Sequence, residues 1–376
     1  MHEKPLVEIL KQTTFSDDDL TRILCAHSPE ECLEIQKRAY DVTTQEVGTN
    51  VYLRGLIEAS NVCTANCRYC GIRKANHSLK RYTLSEETIL DCARLTAREG
   101  YGSIAIQAGE RRDPKWIDWI ASLLRRIHEE SVSDALPNGL GITLSLGEQT
   151  RETYRLWAEA SGNLQGLRYL LRIESSNPTL FHALHCTPGL HEKVLEHRYQ
   201  ALANLREAGY QIGTGVMIGL PGQTIADLVA DIRTFERLNV DMIGMGPYIT
   251  SYGADMTHEG MMAHTPLMQL SLNMIAAVRL VMKNINIAAA TALESLEPNG
   301  RIRGILYGCN VVMPNITPQA TRSSYQLYDN KAGCETGAES NILVERNIVE
   351  MAHRTLGFNR LGSSRRWCER LQVRPN

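Results

Sequence analysis

Ile57-Glu58-Ala59-Ser60-Asn61-Val62-Cys63-Thr64-Ala65-Asn66-Cys67-Arg68-Tyr69-Cys70 is the stretch that decides how this chain is read: an apolar strand runs out, and three cysteines follow within eight residues. With ten cysteines in 376 residues, a CxxxCxxC arrangement is expected by chance only about 0.007 times, so the spacing has a chemical reason. Thiolates are soft ligands suited to zinc or to an iron-sulfur cluster, and a loop is what turns three of them towards one centre. Structural zinc takes four ligands, and the nearest candidate for the fourth is His77. A four-iron cubane needs no fourth protein ligand, because three thiolates leave one iron free to bind a small molecule. The cluster is the better match.

Outward from this loop, short apolar runs alternate with amphipathic stretches, the pattern of βα units around a parallel sheet. Strands are predicted near 52–58, 103–107, 141–146, 169–174, 211–218, 242–245, 287–292 and 310–313, with helices near 192–208 and 225–238. Eight strands in roughly 265 residues fit a (β/α)8 barrel, usually about 250 residues long. A doubly wound open sheet is the alternative. Ser28-Pro29-Glu30-Glu31 joins an N-cap serine, a proline at the first helical position and a glutamate three residues on, and Ser16 before Asp17 reads as another helix start. The expected organisation is a helical extension over 1–50, an α/β barrel of the TIM type over 51–330 and a C-terminal extension over 331–376 that closes it. No short repeat or low-complexity linker divides the barrel region.

Forty Lys+Arg against 42 Asp+Glu leave a net charge of −2, without the basic excess of a general nucleic-acid or anionic-membrane binder. Gly260 to Val278, the longest uncharged stretch, is interrupted by His264, Pro266, Gln269 and Asn273 and is too polar to span a membrane. The opening Met-His-Glu-Lys shows no apolar secretory segment. A cytoplasmic protein is expected, in which ten cysteines point to metal or catalytic use rather than to a disulfide framework.

Placed at the C-terminal mouth of the first barrel strand, the cysteine triplet resembles the signature of the radical S-adenosylmethionine (SAM) enzymes, barrels that hold one 4Fe-4S cluster. In that family SAM chelates the open iron through its amino and carboxylate groups, and one electron cleaves it to a 5′-deoxyadenosyl radical. The cofactor carries the hard chemistry, while the protein orients it and excludes water. Further segments resemble one branch, the FeFe-hydrogenase maturases of the HydE family, with methylornithine synthase and biotin synthase as relatives. They are Ile57 to Cys63, Thr143 to Glu148, Arg168 to Glu174, Gly219 to Thr224, Met313 to Pro318 and Tyr325 to Tyr328, and the likeness runs from about Glu58 to Lys331.

The resemblance implies Cys63, Cys67 and Cys70 as catalytic cluster ligands. It implies SAM against Tyr69, Gln107, Ser145, Glu174, Arg198 and Met217, with Ala108-Gly109-Glu110 standing where relatives have a Gly-Gly-Glu segment for the methionine amine. On the substrate side it implies Thr143, Arg168, Arg172, Thr291, Tyr325 and Tyr328, and Ala290-Thr291 replaces a Thr-Thr pair of the relatives. Arg168, Arg172 and Glu174 also share one strand parity and would point into the barrel together. Arginine grips carboxylates bidentately, which suits SAM and an amino-acid-like substrate, although an internal salt-bridge network is the structural alternative. The implied substrate is a small amino-acid-like or organometallic molecule, a cysteine-bound iron carbonyl cyanide unit. Other hydrogenase maturases and an electron donor are implied as partners, with neither nucleic acid nor membrane. Many members bind a second cluster through three C-terminal cysteines; only Cys334 falls in that region here, so no second cluster is expected.

Two rivals share the cysteines. A methylornithine synthase would rearrange lysine by the same radical, whereas a non-catalytic metal carrier would need neither the inward arginines nor the Gly219 to Thr224 loop. Gly213-Thr214-Gly215 resembles half a dinucleotide fingerprint, but the third glycine comes one position late, at Gly219. His182, His185, Cys186 and His191 fit a solvated connection and helix start better than a second metal site. Arg360, Arg365, Arg366, Arg370 and Arg374 read as a solvated basic tail.

Overall fold

Eight parallel strands curl into a barrel: β1 (Asn50–Ser60), β2 (Ser103–Ala108), β3 (Gly141–Ser145), β4 (Leu167–Leu170), β5 (Gln211–Thr214), β6 (Met242–Ile243), β7 (Asn286–Ile287) and β8 (Val311–Val312). From β1 to β7 each pairs with the next, β8 pairs with β1 through Tyr52 and Leu53, and a single bridge, Ala288 with Val311, joins the β7 and β8 edges. The circle closes where Asn310 N donates to Ile287 O and Ala289 N to Val311 O, each at 2.9 Å, which rules out the open sheet. This is a computed structural model, and it describes residues 4–187, 193–256, 260–333 and 338–374.

Most of β1 is buried because one face lines the barrel and the other lies under helices, so its sequence is a nearly unbroken apolar run. Helices Glu86–Arg98, Pro114–Ser131, Arg151–Ala160 and Ile225–Leu238 begin on Ser85, Asp113, Thr150 and Thr224, whose side chains accept a backbone N–H of the first turn. Three N-terminal helices, Leu6–Leu10, Asp17–Leu24 and Pro29–Glu46, precede the barrel. Ser16 and Ser28 cap two of them as predicted, and the third runs past the expected end near Tyr40. They pack on the barrel helix His264–Val281, where buried Asn273 donates to Leu24 O (3.2 Å) and Ala26 O (2.8 Å).

The later strands are shorter than their sequence suggests. The predicted strand 211–218 breaks after Thr214, and Met217–Ile218 pairs separately with Gly246–Pro247. The cause is at Gly215, where a Cβ would stand 1.9 Å from Gly244 O. Likewise the seventh strand ends at Ile287, and helix Thr291–Leu296 begins inside its predicted range.

The C-terminal segment bonds to residues of several barrel strands. Thr355–Leu356 pairs with the start of β1, and residues 361–364 cross beneath the strands. Arg54 there donates to Gly362 O (3.3 Å), Asn286 to Gly362 O (2.8 Å), and Arg168 to Leu361 O and, at 2.9 Å, to Gly166 O. The solvated-tail reading is corrected by helix Arg365–Leu371, in which Arg370 makes a two-pronged pair with buried Asp241, both contacts at 2.9 Å. Apolar helix faces alone would not dock so basic a segment; the buried Asp241 carboxylate does.

Asp231, fully buried on the Ile225–Leu238 helix, accepts Ser176 N at 2.6 Å through one oxygen, while the other has no partner. Burial pushes its pKa up from 3.8 to about 7. The fold therefore favours the neutral acid, and stability falls as pH rises through this window. Asp231→Asn keeps the acceptor without the charge. Urea unfolding should find it more stable than wild type by on the order of 2 kcal/mol at pH 8 and nearly equal at pH 4; a gap that does not change with pH would count against this account.

Candidate active site

The cysteine loop is built as a rigid collar on β1. Asn61 donates to Lys80 O (2.8 Å) and Ser324 O (2.7 Å) and accepts Tyr82 N (2.7 Å). The Arg81 guanidinium then ties Asn61, Ile72, Arg73 and Asn76 together through their carbonyls. Gly71 and Gly109 allow closure: a Cβ at Gly71 would lie 2.0 Å from Gln326 O, and one at Gly109 would lie 2.7 Å from the Cys63 Cβ.

Cys63, Cys67 and Cys70 face a cavity of about 330 Å³ enclosed by the barrel mouth. Burial pushes the Cys63 thiol up to about 11 and raises Cys67 and Cys70 as well, each raised further by the charge of other cysteines or nearby acids. On Cys67 the field of Lys193 and Arg198 pulls the other way. Among the described residues, no three His, Cys, Asp or Glu side chains converge closely enough to hold a single metal ion. That spread suits a multi-iron cluster, in which each thiolate meets a different iron, and argues against the tetrahedral zinc alternative. His182, His185 and Cys186 likewise form no metal group, and His191 lies outside the described residues. His185 is not solvated as expected: it is buried, bonds Phe181 O (2.9 Å) and sets its ring 5.6 Å from that of Tyr69. Cys334 lies outside the described residues.

The residues implied for SAM, Tyr69, Gln107, Ser145, Glu174, Arg198 and Met217, all line this cavity. Glu174 has φ +63, a left-handed conformation rare outside glycine, held by backbone bonds to Gly215 and Met217. Such strain persists only where surroundings over-determine it, and here it turns the carboxylate to Tyr69 OH (3.4 Å) and Arg172 (2.9 Å). Arg198 donates to Glu148 at 2.5 Å and to the Arg172 carbonyl. Burial disfavours the Glu148 carboxylate, but Arg198 and Lys193 outweigh it and hold the pKa below the ordinary range.

Of the residues implied for substrate, Thr143, Arg172, Thr291, Tyr325 and Tyr328 line the same cavity. The Thr143 hydroxyl is buried without a partner, a donor and acceptor left to the cavity. Arg168 does not join them. It sits fully buried in the barrel floor near Arg54, its pKa driven far down by burial and by that neighbour. Shared parity places Arg168 and Arg172 on one face, but four residues of strand separate them by about 13 Å of depth. The expectation for Arg168 is therefore corrected: both of its terminal nitrogens are spent on floor carbonyls.

Two cations of the site, Lys193 and Lys331, carry no sequence motif, and each pairs with an acid from a quoted stretch. Glu110, from the Ala108-Gly109-Glu110 segment, pairs with Lys193 at 2.6 Å, and buried Glu58 pairs with Lys331. The readable signal was Glu58 itself, an acid inside the buried apolar run of β1.

A model of the radical SAM superfamily matches residues 57–235. The HydE subunit of the [FeFe] hydrogenase maturase from Thermotoga maritima is 37% identical over 88% of this chain and 89% of its own length. The chain belongs to the HydE family of radical SAM enzymes. It is accordingly an enzyme that cleaves SAM with a 4Fe-4S cluster, and the site agrees, with three thiols lining one cavity. By fold it is similar to methylornithine synthase, at TM-score 0.76 and 22% identity over 94% of this chain and 98% of that one. It is also similar to the maturase HydG from Carboxydothermus hydrogenoformans, at TM-score 0.72 and 19% identity over 91% and 77% of the two chains. No described helix is long and apolar enough to cross a membrane.

Proposed function

We propose that this HydE-family enzyme processes a cysteine-bound iron carbonyl cyanide unit during assembly of the FeFe-hydrogenase active site. The observation that carries the reading is the single cavity that holds the three cysteines together with Arg172, Thr143 and Thr291. Those three would hold the carboxylate and amine of a cysteine-like ligand. Cys63, Cys67 and Cys70 would hold the cluster, and Tyr69, Gln107, Ser145, Glu174, Arg198 and Met217 would hold SAM. When bound, this pair supplies a 5′-deoxyadenosyl radical. The chain's own work is positional: the Arg172–Glu174 pair aligns the two ligands, and Leu170, Leu171, Met313 and Leu327 keep water away. Tyr325 and Tyr328 close the remaining side. Other maturases would supply and receive the substrate and an electron donor would reduce the cluster, in the cytoplasm.

The test is anaerobic. The reconstituted, dithionite-reduced enzyme should form 5′-deoxyadenosine from SAM, and a maturation mixture with apo-hydrogenase and the other maturases should yield hydrogenase activity only when this chain and SAM are both present. Deoxyadenosine formation coupled instead to conversion of lysine to methylornithine would replace this reading with the mutase one.

A further inference from the structure

Two buried cations of the cavity act on Cys67, and they are differently occupied. Arg198 donates through Nε to Glu148 (2.5 Å) and through Nη1 to the Arg172 carbonyl, so its fork is largely held by protein. Lys193, whose side chain is 8% exposed, makes one hydrogen bond, to Glu110 Oε2 at 2.6 Å, with Glu148 no nearer than 4.0 Å. An ammonium has three N–H donors, so among the described residues two of them have no hydrogen-bond partner, in a side chain that lines the cavity with the three cysteines. A buried ammonium with spare donors is costly unless an acceptor arrives.

Lys193 is also anchored as a binding residue would be. Its carbonyl accepts from Cys186 Sγ at 3.7 Å, and Thr187 is tied to Asn66 of the cysteine loop by two contacts of 3.3 Å. Arg68 N, from the same loop, donates to Leu184 O at 2.8 Å. The connection that carries Lys193 thus rests on the collar that carries Cys67. Glu110 is held equally firmly, with its carbonyl accepting both Thr64 N and Thr64 Oγ1 at 2.9 Å.

We propose that Lys193 is a binding residue for the methionine carboxylate of SAM, donating to it alongside Arg198 while Glu110 holds the ammonium in place. This deepens the SAM site on which the proposed function rests. An ammonium suits the role because, as a compact charge with rotatable donors, it can keep Glu110 and still meet a carboxylate.

The experiment compares wild type, Lys193→Gln and Lys193→Arg as cluster-loaded proteins in anaerobic equilibrium dialysis with three probes: SAM, S-adenosylhomocysteine and 5′-deoxyadenosine. The first two carry the amino-acid carboxylate, and the third lacks it. Loss of a charge-assisted hydrogen bond should weaken SAM and S-adenosylhomocysteine about tenfold or more in Lys193→Gln. Deoxyadenosine affinity should be unchanged, and Lys193→Arg should restore most of the loss. Lys193→Gln/Glu110→Gln, which leaves no unpaired carboxylate behind, should show the same selective loss. Equal affinity of Lys193→Gln for SAM would overturn the inference, and so would a loss shared by all three probes in both the single and the double variant. Failure of the wild type itself to bind SAM would instead strike the proposed function.

Discussion

Cys67→Ala is expected to lose the cluster and all SAM cleavage together. Two thiolates and a methyl group cannot hold three irons of a cubane, and Cys67 sits between the other ligands in the loop, beside Lys193 and Arg198. After anaerobic reconstitution, the iron content attributable to a 4Fe-4S centre, its electron paramagnetic resonance signal and 5′-deoxyadenosine should all fall below detection. Cys25→Ala is the matched control, since Cys25 is exposed and far along the chain from the site, and it should behave as wild type. Deoxyadenosine formed at an ordinary rate by Cys67→Ala would contradict the assignment of the ligands.

The second large effect concerns Lys331. Glu58 is completely buried on β1, one of its oxygens has no partner, and the other is paired with Lys331, which also lies 5.1 Å from the Tyr325 ring centre. Lys331→Met leaves that carboxylate uncompensated, at an expected cost of about 3–5 kcal/mol. Urea unfolding of the cluster-free protein reads it. Glu58→Gln combined with Lys331→Met should recover more than half of the loss, since the two effects are coupled rather than additive. A cost below about 0.5 kcal/mol, the scale of an exposed pair, would show that the latch is not structural.

Much of this was legible because the site is built from local patterns. Three cysteines in eight residues name a cluster whatever surrounds them, and the family resemblance, rather than the apolar runs, is what singled out Gln107, Ser145 and Met217, which line the cavity. Depth was not legible. Periodicity says which face Arg168 occupies but not how far down the barrel it lies, so a floor residue was grouped with Arg172. Strand ends were missed where the chain leaves the ladder for reasons of contact, as at Gly215 against Gly244, which no single-residue preference encodes. Lys193 was invisible for a related reason: a lysine in a connection looks solvated until the fold closes over it. Glu58, in contrast, was readable in principle, since an acid within an apolar strand demands a buried partner.

The floor of the barrel has a consequence for how the chain is made. Arg54 and Arg168 are placed by strands from the first half of the sequence, yet the carbonyls of Leu361 and Gly362 that receive them come near its end. Until residues 361–362 dock, both guanidiniums remain in water. Docking of that segment, rather than completion of the eighth strand, is the event that takes them out of it.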